Sequence, residues 1–126
     1  MIAGVVGLGL VLVAGCSLFQ NRPPIAAFVA HPVPDHPVWV RLDATGTTDP
    51  EGDPIVAYAW IFGADQPGVT IITPLGFLTK TVPVPEIVVD YVTEGEYTIT
   101  LVATDARGKA SDPVVRTITL PLPVAD

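Results

Sequence analysis

The clearest pattern in the chain is an alternation of apolar and polar side chains, which is typical of strands that bury one face. In "VWVRLDA" (38–44), Val38, Val40 and Leu42 share one face, whereas Trp39 and the charged residues that follow it share the other. We therefore predict a half-buried strand. Trp39 is expected on its outer side, either exposed to a partner or covered by the preceding loop.

The same alternation marks the two segments that we expect to supply most of the core. In "IVAYAWIF" (55–62) the valine and three aromatic residues share one face, and in "EGEYTITLVATD" (94–105) a tyrosine and three aliphatic residues do the same. Both segments are predicted strands that need a facing sheet. The residues assigned to the structural core are Tyr58, Trp60, Phe62, Tyr97 and Leu101.

The remaining Val-, Ile- and Thr-rich segments complete an all-β prediction. They are a strand at 25–30, a hairpin at 69–82 around Pro-Leu-Gly, and strands at 86–92 and 114–120. "HPVPDHP" (31–37) contains three prolines and is expected to be a loop, because proline cannot donate to a ladder. No segment has helical periodicity. Seven to eight strands predict an immunoglobulin-like β-sandwich, with the domain spanning 25–121 and a tail at 122–126.

An apolar leader of residues 1–15 precedes this domain. It is short for a membrane-spanning helix, which needs about 20 apolar residues. Its end, Val13-Ala14-Gly15 before Cys16, resembles the lipobox of bacterial lipoproteins, although the leader lacks the usual basic start. We expect Cys16 to be lipidated and residues 16–24 to form a tether. The alternative is an uncleaved helix with an incidental cysteine.

A lipobox implies an extracytoplasmic protein anchored in the bacterial cell envelope by acyl chains. In a host with two membranes, Ser17 after the cysteine favours the outer one.

Composition and isolated side chains argue against several functions. The net charge is −7 and the six basic residues are scattered, so nucleic acid is excluded as a partner. The only cysteine, Cys16, excludes an intrachain disulfide. Ser17 and Ser111 lie outside any nucleophile motif, and His31 with His36 is better explained as two solvated histidines than as a metal site. We expect no enzymatic activity.

Three segments in order resemble the PKD domain, an immunoglobulin-like module. They are "NRPPIAAF", "LDATGTTDPEGDPIVAYAWIFG" and "YVTEGEYTITLVATDARGKAS", and the resemblance covers about residues 21 to 120. The family pattern Trp-Asp-Phe-Gly-Asp-Gly is altered here, because Ile61 replaces the first Asp and Asp65 falls one place late. The resemblance implies an extracellular binding or spacing module. It also matches Tyr97, after Gly95, to a tyrosine corner.

The acidic turn "TTDPEGDP" supports two interpretations. Asp49 can cap the turn with its own carboxylate while Gly52 supplies an unusual φ, so no metal is needed. Alternatively, the resemblance to PKD domains, some of which bind calcium, implies a Ca²⁺ site. Its oxygens would come from Asn21, Asp49, Glu51 and Asp53.

The sequence thus predicts non-catalytic binding of an envelope protein or polysaccharide. The alternatives are a passive spacer or structural subunit of an envelope complex, or, third, an accessory to a secreted hydrolase. An exposed apolar patch would favour the binder. The candidate partner-binding residues are Trp39, Ile71, Ile72, Phe77 and Leu78.

Overall fold

The computed structural model describes residues 22–63, 69–73 and 80–123. In these segments no helix is long and apolar enough to cross a membrane. The leader and Cys16 lie outside the described residues. The described strands are β1 (Val29–Val33), β2 (His36–Asp43), β3 (Ile55–Ile61), β4 (Thr70–Thr73), β5 (Thr81–Val82), β6 (Glu86–Asp90), β7 (Gly95–Asp105) and β8 (Val114–Leu120).

These strands form two four-stranded antiparallel sheets, ordered β1-β2-β6-β4 and β5-β3-β7-β8. The inner faces of the sheets enclose one apolar core. At its centre Phe28 packs edge to face on Trp60, with ring centroids 5.2 Å apart. The predicted all-β, immunoglobulin-like sandwich is therefore confirmed.

The side-chain alternation of β2 and β7 decides which residues enter the core. Val40 and Leu42 are fully buried, whereas Arg41 and Asp43 between and after them are half-exposed. Full burial of such an aliphatic side chain is worth roughly 1.5–3 kcal/mol, so a shift of register by one residue would be costly. The five predicted core residues are all buried: Tyr58, Trp60, Phe62, Tyr97 and Leu101.

Val56 was predicted on the inward face of β3 with Tyr58 and Trp60, and this prediction is wrong, because Val56 is exposed. The pairing of β3 with β7 shifts register between Ile55 and Ala57, so the residue between them does not follow the alternation of the strand.

The predicted loop at 31–37 is instead most of a β-hairpin. β1 pairs with β2 from Val29 to Val33, and the predicted strand at 25–30 contributes only an isolated bridge and the first residues of β1. Proline is tolerated because β1 is an edge strand, where a missing N–H costs no ladder bond. Pro34 and Asp35 form the turn, in which Asp35 has a φ of 68°.

The predicted hairpin at 69–82 is also wrong. β4 pairs with β6 in one sheet, whereas β5 pairs with β3 in the other, so the two arms do not pair with each other. The chain crosses between sheets in this interval. The pattern of apolar residues is compatible with a hairpin and with two strands in different sheets, because it shows which residues are buried but not which strands pair.

The segment before β7 forms the predicted tyrosine corner. The Tyr97 hydroxyl donates a hydrogen bond to the Thr93 carbonyl at 2.7 Å. Gly95 has a φ of 149°, and a Cβ atom there would lie 3.6 Å from the same hydroxyl. That distance is an ordinary van der Waals contact, so the glycine is required by its φ and not by a lack of space.

Candidate functional site

The acidic turn between β2 and β3 is closed by Asp49. Its Oδ1 accepts hydrogen bonds from the backbone N–H groups of Glu51 at 2.9 Å and Asp53 at 3.2 Å. The Gly52 N–H donates to the Asp49 carbonyl, and Gly52 has a φ of 77°. The residues of this turn thus have the structural roles that the sequence assigned to them.

Asp105 closes a second turn, at the end of β7. Its Oδ1 accepts hydrogen bonds from the backbone N–H groups of Arg107 and Lys109, both at 2.9 Å. Asp105 is nevertheless completely buried, which is rare for a carboxylate. A buried carboxylate needs compensation, and these two hydrogen bonds supply part of it.

The two turns bring three carboxylates together. One oxygen from each of Asp49, Asp53 and Asp105 lies within 4.8 Å of the others. The Oδ2 atoms of all three are buried, and Asp49 Oδ2 accepts no hydrogen bond from a described residue. Arg107 Nε lies 3.2 Å from Asp53 Oδ2 and neutralises one of the three charges. We call these three carboxylates the Asp cluster.

Glu51 lies in the same turn but binds elsewhere. Its carboxylate accepts hydrogen bonds from Arg22, one from the backbone N–H at 2.8 Å and one from the side-chain Nε. The side-chain bond to Arg22 is the main reason that the pKa of Glu51 is lowered. Glu51 is not part of the Asp cluster. The fourth predicted ligand, Asn21, lies outside the described residues.

The Asp cluster fits a hard cation such as Ca²⁺, which takes carboxylate and carbonyl oxygens. The observation that supports the fit is Asp49 Oδ2, a buried carboxylate oxygen without a hydrogen-bond donor among the described residues. A cation at this point would interact with carboxylate oxygens of Asp49, Asp53 and Asp105. In this arrangement Glu51 would hold the entering chain through Arg22 and would not contact the ion.

The second notable feature is a pocket at the β1–β2 hairpin. Its volume is about 360 Å³. Trp39 is half-buried, and the His36 ring stacks on it with centroids 3.8 Å apart and an interplanar angle of 11°. Prolines supply much of the wall, so it presents few backbone N–H donors. The lining residues are Pro32, Val33, Pro34, Asp35, His36, Pro37, Trp39, Pro121 and Leu122.

Of the five residues predicted to bind a partner, only Trp39 lines this pocket. Ile71 and Ile72 are half-buried in β4, and Ile71 packs against the core. Phe77 and Leu78 lie outside the described residues. We call the hairpin pocket the Trp39 pocket, and the partner-binding role of Phe77 and Leu78 stays a prediction.

Two features of these sites were missed in the sequence. Asp105 has the parity of Tyr97, Ile99 and Leu101, so a charged residue on the buried face of β7 was already visible. The participation of Leu122 in the Trp39 pocket had no such signal. It depends on where the chain passes after β8, which local patterns do not record.

The chain matches the family model of the PKD domain over residues 21–120. It therefore belongs to the PKD domain family, and the resemblance noted in its sequence is confirmed. A comparison with curated protein sequences finds no significant match.

Solved structures agree with this assignment. The PKD1 domain of Vibrio anguillarum Epp superposes with a TM-score of 0.57 at 24% identity, over 82% of this chain and 100% of that one. The PKD1 domain of the Vibrio cholerae metalloprotease PrtV gives 0.54 at 26% identity, over 78% and 96%. A structure from work on promiscuous carbohydrate-binding modules of the β-sandwich superfamily gives 0.55 at 28% identity, over 84% of this chain and 36% of that one. These similarities support a non-catalytic binding or accessory domain.

Proposed function

We propose that this protein is a bacterial envelope lipoprotein whose PKD domain binds an envelope protein or polysaccharide without catalysing a reaction. The observation that carries the binding role is the Trp39 pocket. It combines a concave, mostly apolar wall with an aromatic ring and two polar side chains, Asp35 and His36. Such a combination is typical of binding sites, in which the apolar wall supplies affinity and a few polar groups supply orientation.

The composition of the Trp39 pocket suits either class of partner. A tryptophan offers a large rigid surface at a small cost in conformational entropy, which is why it is frequent in binding hot spots. A sugar ring or an extended apolar peptide segment could pack against it. The similarity to a carbohydrate-binding module supports the polysaccharide, and the PKD domain of a metalloprotease supports an accessory role beside other proteins.

Fluorescence provides a direct test, because the two tryptophans differ in exposure. Trp60 is 2% exposed and is shielded from a soluble quencher, so quenching by iodide reports mainly on Trp39. We expect solubilised envelope material to protect Trp39 from iodide. Fractionation into protein and polysaccharide then identifies the class of partner.

The matched variants are Trp39→Ala and Val56→Ala. Val56 is 47% exposed and lies on β3, outside both the Trp39 pocket and the sheet edge formed by β8. We expect Trp39→Ala to abolish capture of envelope material on an affinity column and Val56→Ala to retain it. Equal capture by both variants, or no protection of Trp39 by any fraction, would favour the passive spacer.

The anchor is a separate part of the proposal and rests on the Val-Ala-Gly-Cys sequence at 13–16. Cys16→Ala should abolish labelling by a fatty-acid analogue and leave the leader uncleaved. Cys16→Ser keeps the size of the side chain and removes only the thiol. It should also abolish labelling, as Cys16→Ala does. Labelling that persists in both variants would contradict the lipoprotein assignment without affecting the binding role.

A second candidate function is the binding of Ca²⁺ by the Asp cluster. The observation that favours it is the buried Asp49 Oδ2 beside Asp53 and Asp105. Bound calcium would join the turn before β3 to the end of β7 and so stiffen one end of the sandwich. Calorimetric titration with CaCl₂ tests the binding, with Asp49→Asn as the variant that keeps the turn-forming Oδ1 and removes the charge. No heat in the wild type above that of Asp49→Asn would exclude the site.

A further inference from the structure

The two sheets have four edges, and three of them are protected against further pairing. β1 contains Pro32 and an irregular register beside it. β4 has four residues and a register shift, and β5 has only two residues. Prolines, irregular register and short length are three devices by which proteins protect sheet edges, and charged side chains are a fourth.

The fourth edge, β8, has no proline, no irregular register and no shortening, and its one protection of another kind is the charged Arg116. Its seven residues pair with β7 without a register shift, from the Gly95–Leu120 pair to the Leu101–Val114 pair. Among the described residues its backbone forms no hydrogen bond to any strand other than β7. The segment "VVRTITL" contains no proline or lysine and is rich in β-branched residues, which favour strands. Its one charged residue, Arg116, has its guanidinium carbon 5.8 Å from the centre of the Phe28 ring.

The outer face beside this edge is also unusual for an acidic protein. The outward residues of β8, Val115, Thr117 and Thr119, are exposed and uncharged. Thr98 and Thr100 of β7 lie opposite Thr117 and Val115 and continue the uncharged surface, which ends at exposed Glu96 opposite Thr119. In a protein of net charge −7, most contacts between two copies would bring like charges together. A contact through β8 would avoid this repulsion.

We propose that β8 pairs with β8 of a second copy of this chain, antiparallel about a two-fold axis at Thr117. Paired residues must point to the same side of a sheet, so only every second register is possible. Among those registers, the one centred on Thr117 pairs all seven residues of the strand. It places Val115 opposite Thr119 and Arg116 opposite Ile118, and no like charges lie directly opposite each other. The result is a continuous eight-stranded sheet with a symmetric, self-complementary contact.

Disulfide trapping tests this register in the full-length chain, solubilised in detergent and carrying Cys16→Ser. Residues paired across antiparallel strands have Cα atoms about 4.5–5.5 Å apart, within the range of a disulfide. Thr117→Cys should therefore form a dimer with itself under mild oxidation. Val115→Cys alone and Thr119→Cys alone should not, because each lies four residues, roughly 13 Å, from its own counterpart. A mixture of those two variants should form a mixed dimer.

Charge variants test the same contact without a disulfide. Thr117→Lys places two ammonium groups opposite each other and should convert the dimer to monomer in sedimentation at matched concentration. Thr98→Lys adds the same charge on the same face, one strand away from the edge, and should leave the dimer intact.

Two results would overturn the proposal. One is a wild-type chain that sediments as a monomer and gives no Thr117→Cys dimer. The other is equal dissociation by Thr98→Lys and Thr117→Lys, which would indicate packing through the face of the sheet and not through its edge. Circular dichroism of both lysine variants checks that the fold is retained.

Discussion

Tyr91 and Tyr97 stack in the core with ring centroids 4.2 Å apart, but only one of the two hydroxyls has a hydrogen-bond partner among the described residues. Tyr97 donates to the Thr93 carbonyl at 2.7 Å. The Tyr91 hydroxyl is buried and has no described partner. The two tyrosine hydroxyls therefore affect the stability of the fold differently. Burying a hydroxyl without a hydrogen bond destabilises the folded state, whereas the hydrogen bond of Tyr97 offsets that cost.

The first prediction compares Tyr91→Phe with Tyr97→Phe. Removing the Tyr91 hydroxyl should leave the free energy of unfolding unchanged or raise it by roughly 1 kcal/mol, because no bond is lost and a desolvation penalty is relieved. Removing the Tyr97 hydroxyl should lower it by about 1 kcal/mol, because the Thr93 carbonyl loses its donor. Urea denaturation measures both. A loss of stability in Tyr91→Phe equal to that in Tyr97→Phe would show that Tyr91 has a partner.

The second prediction concerns alkaline pH. Burial, together with the neighbouring Tyr97, raises the pKa of Tyr91 above its ordinary value of 10.0, and burial raises the pKa of Tyr58 in the same direction. The unfolded chain therefore loses these protons before the folded chain does. The resulting stability is complete below pH 10 and decreases as the pH rises further. The urea midpoint of the wild type should fall between pH 9 and pH 12. The midpoint of Tyr91→Phe should fall less over the same range. Parallel curves for the two proteins would contradict this origin.

Alternation along the strands was sufficient to predict the inner faces of β2 and β7, because burial on one face of a sheet imposes a period of two. It failed at Val56, where a register shift interrupts that period. It also failed at 69–82, since the choice of a neighbouring strand depends on contacts distant in sequence. The count of prolines at 31–37 was misleading for a related reason. Pro32 lies on β1, an edge strand that accepts proline, and Pro37 lies near the start of β2, outside the residue pairs of that strand.

In the Asp cluster, too, neighbouring residues predict the local turn, whereas strand pairing determines which distant residue lies beside it. The turn formed by Asp49 could be predicted from a few neighbouring residues. Its proximity to Asp105, more than fifty residues away, follows only from the pairing of β3 with β7, in which Ile55 lies opposite Asp105. Glu51 was assigned to the same site through the resemblance to PKD domains, whereas its carboxylate accepts a hydrogen bond from the Arg22 side chain.

The third prediction concerns Trp60, which packs on Phe28 at the centre of the core. Trp60→Ala should lower the free energy of unfolding by roughly 3–5 kcal/mol, because it removes a buried ring and leaves a cavity. That is a large part of the 5–15 kcal/mol by which domains of this size are typically stable. Trp60→Phe should cost less, since it keeps an aromatic ring and removes a buried N–H that has no described acceptor. Similar losses in both variants, measured by thermal denaturation, would contradict this account.

The fourth prediction concerns calcium and the Asp cluster. A ligand that binds only the folded state raises the melting temperature, by an amount that grows with its concentration relative to Kd. Millimolar Ca²⁺ should therefore raise the melting temperature of the wild type above its value in chelator. The same addition should not affect Asp49→Asn with Asp53→Asn. These asparagines keep an oxygen acceptor for the turn but remove the charge that a cation needs.

Glu51→Gln is the matched control, because Glu51 lies in the same turn but bonds to Arg22 outside the Asp cluster. It should respond to calcium as the wild type does. Loss of the response in Glu51→Gln would place the ion at Glu51 and contradict the assignment to Asp49, Asp53 and Asp105. Without calcium, the double variant should melt no lower than the wild type, since it relieves repulsion among buried carboxylates. Identical melting of the wild type in calcium and in chelator would leave the three carboxylates with a structural role only.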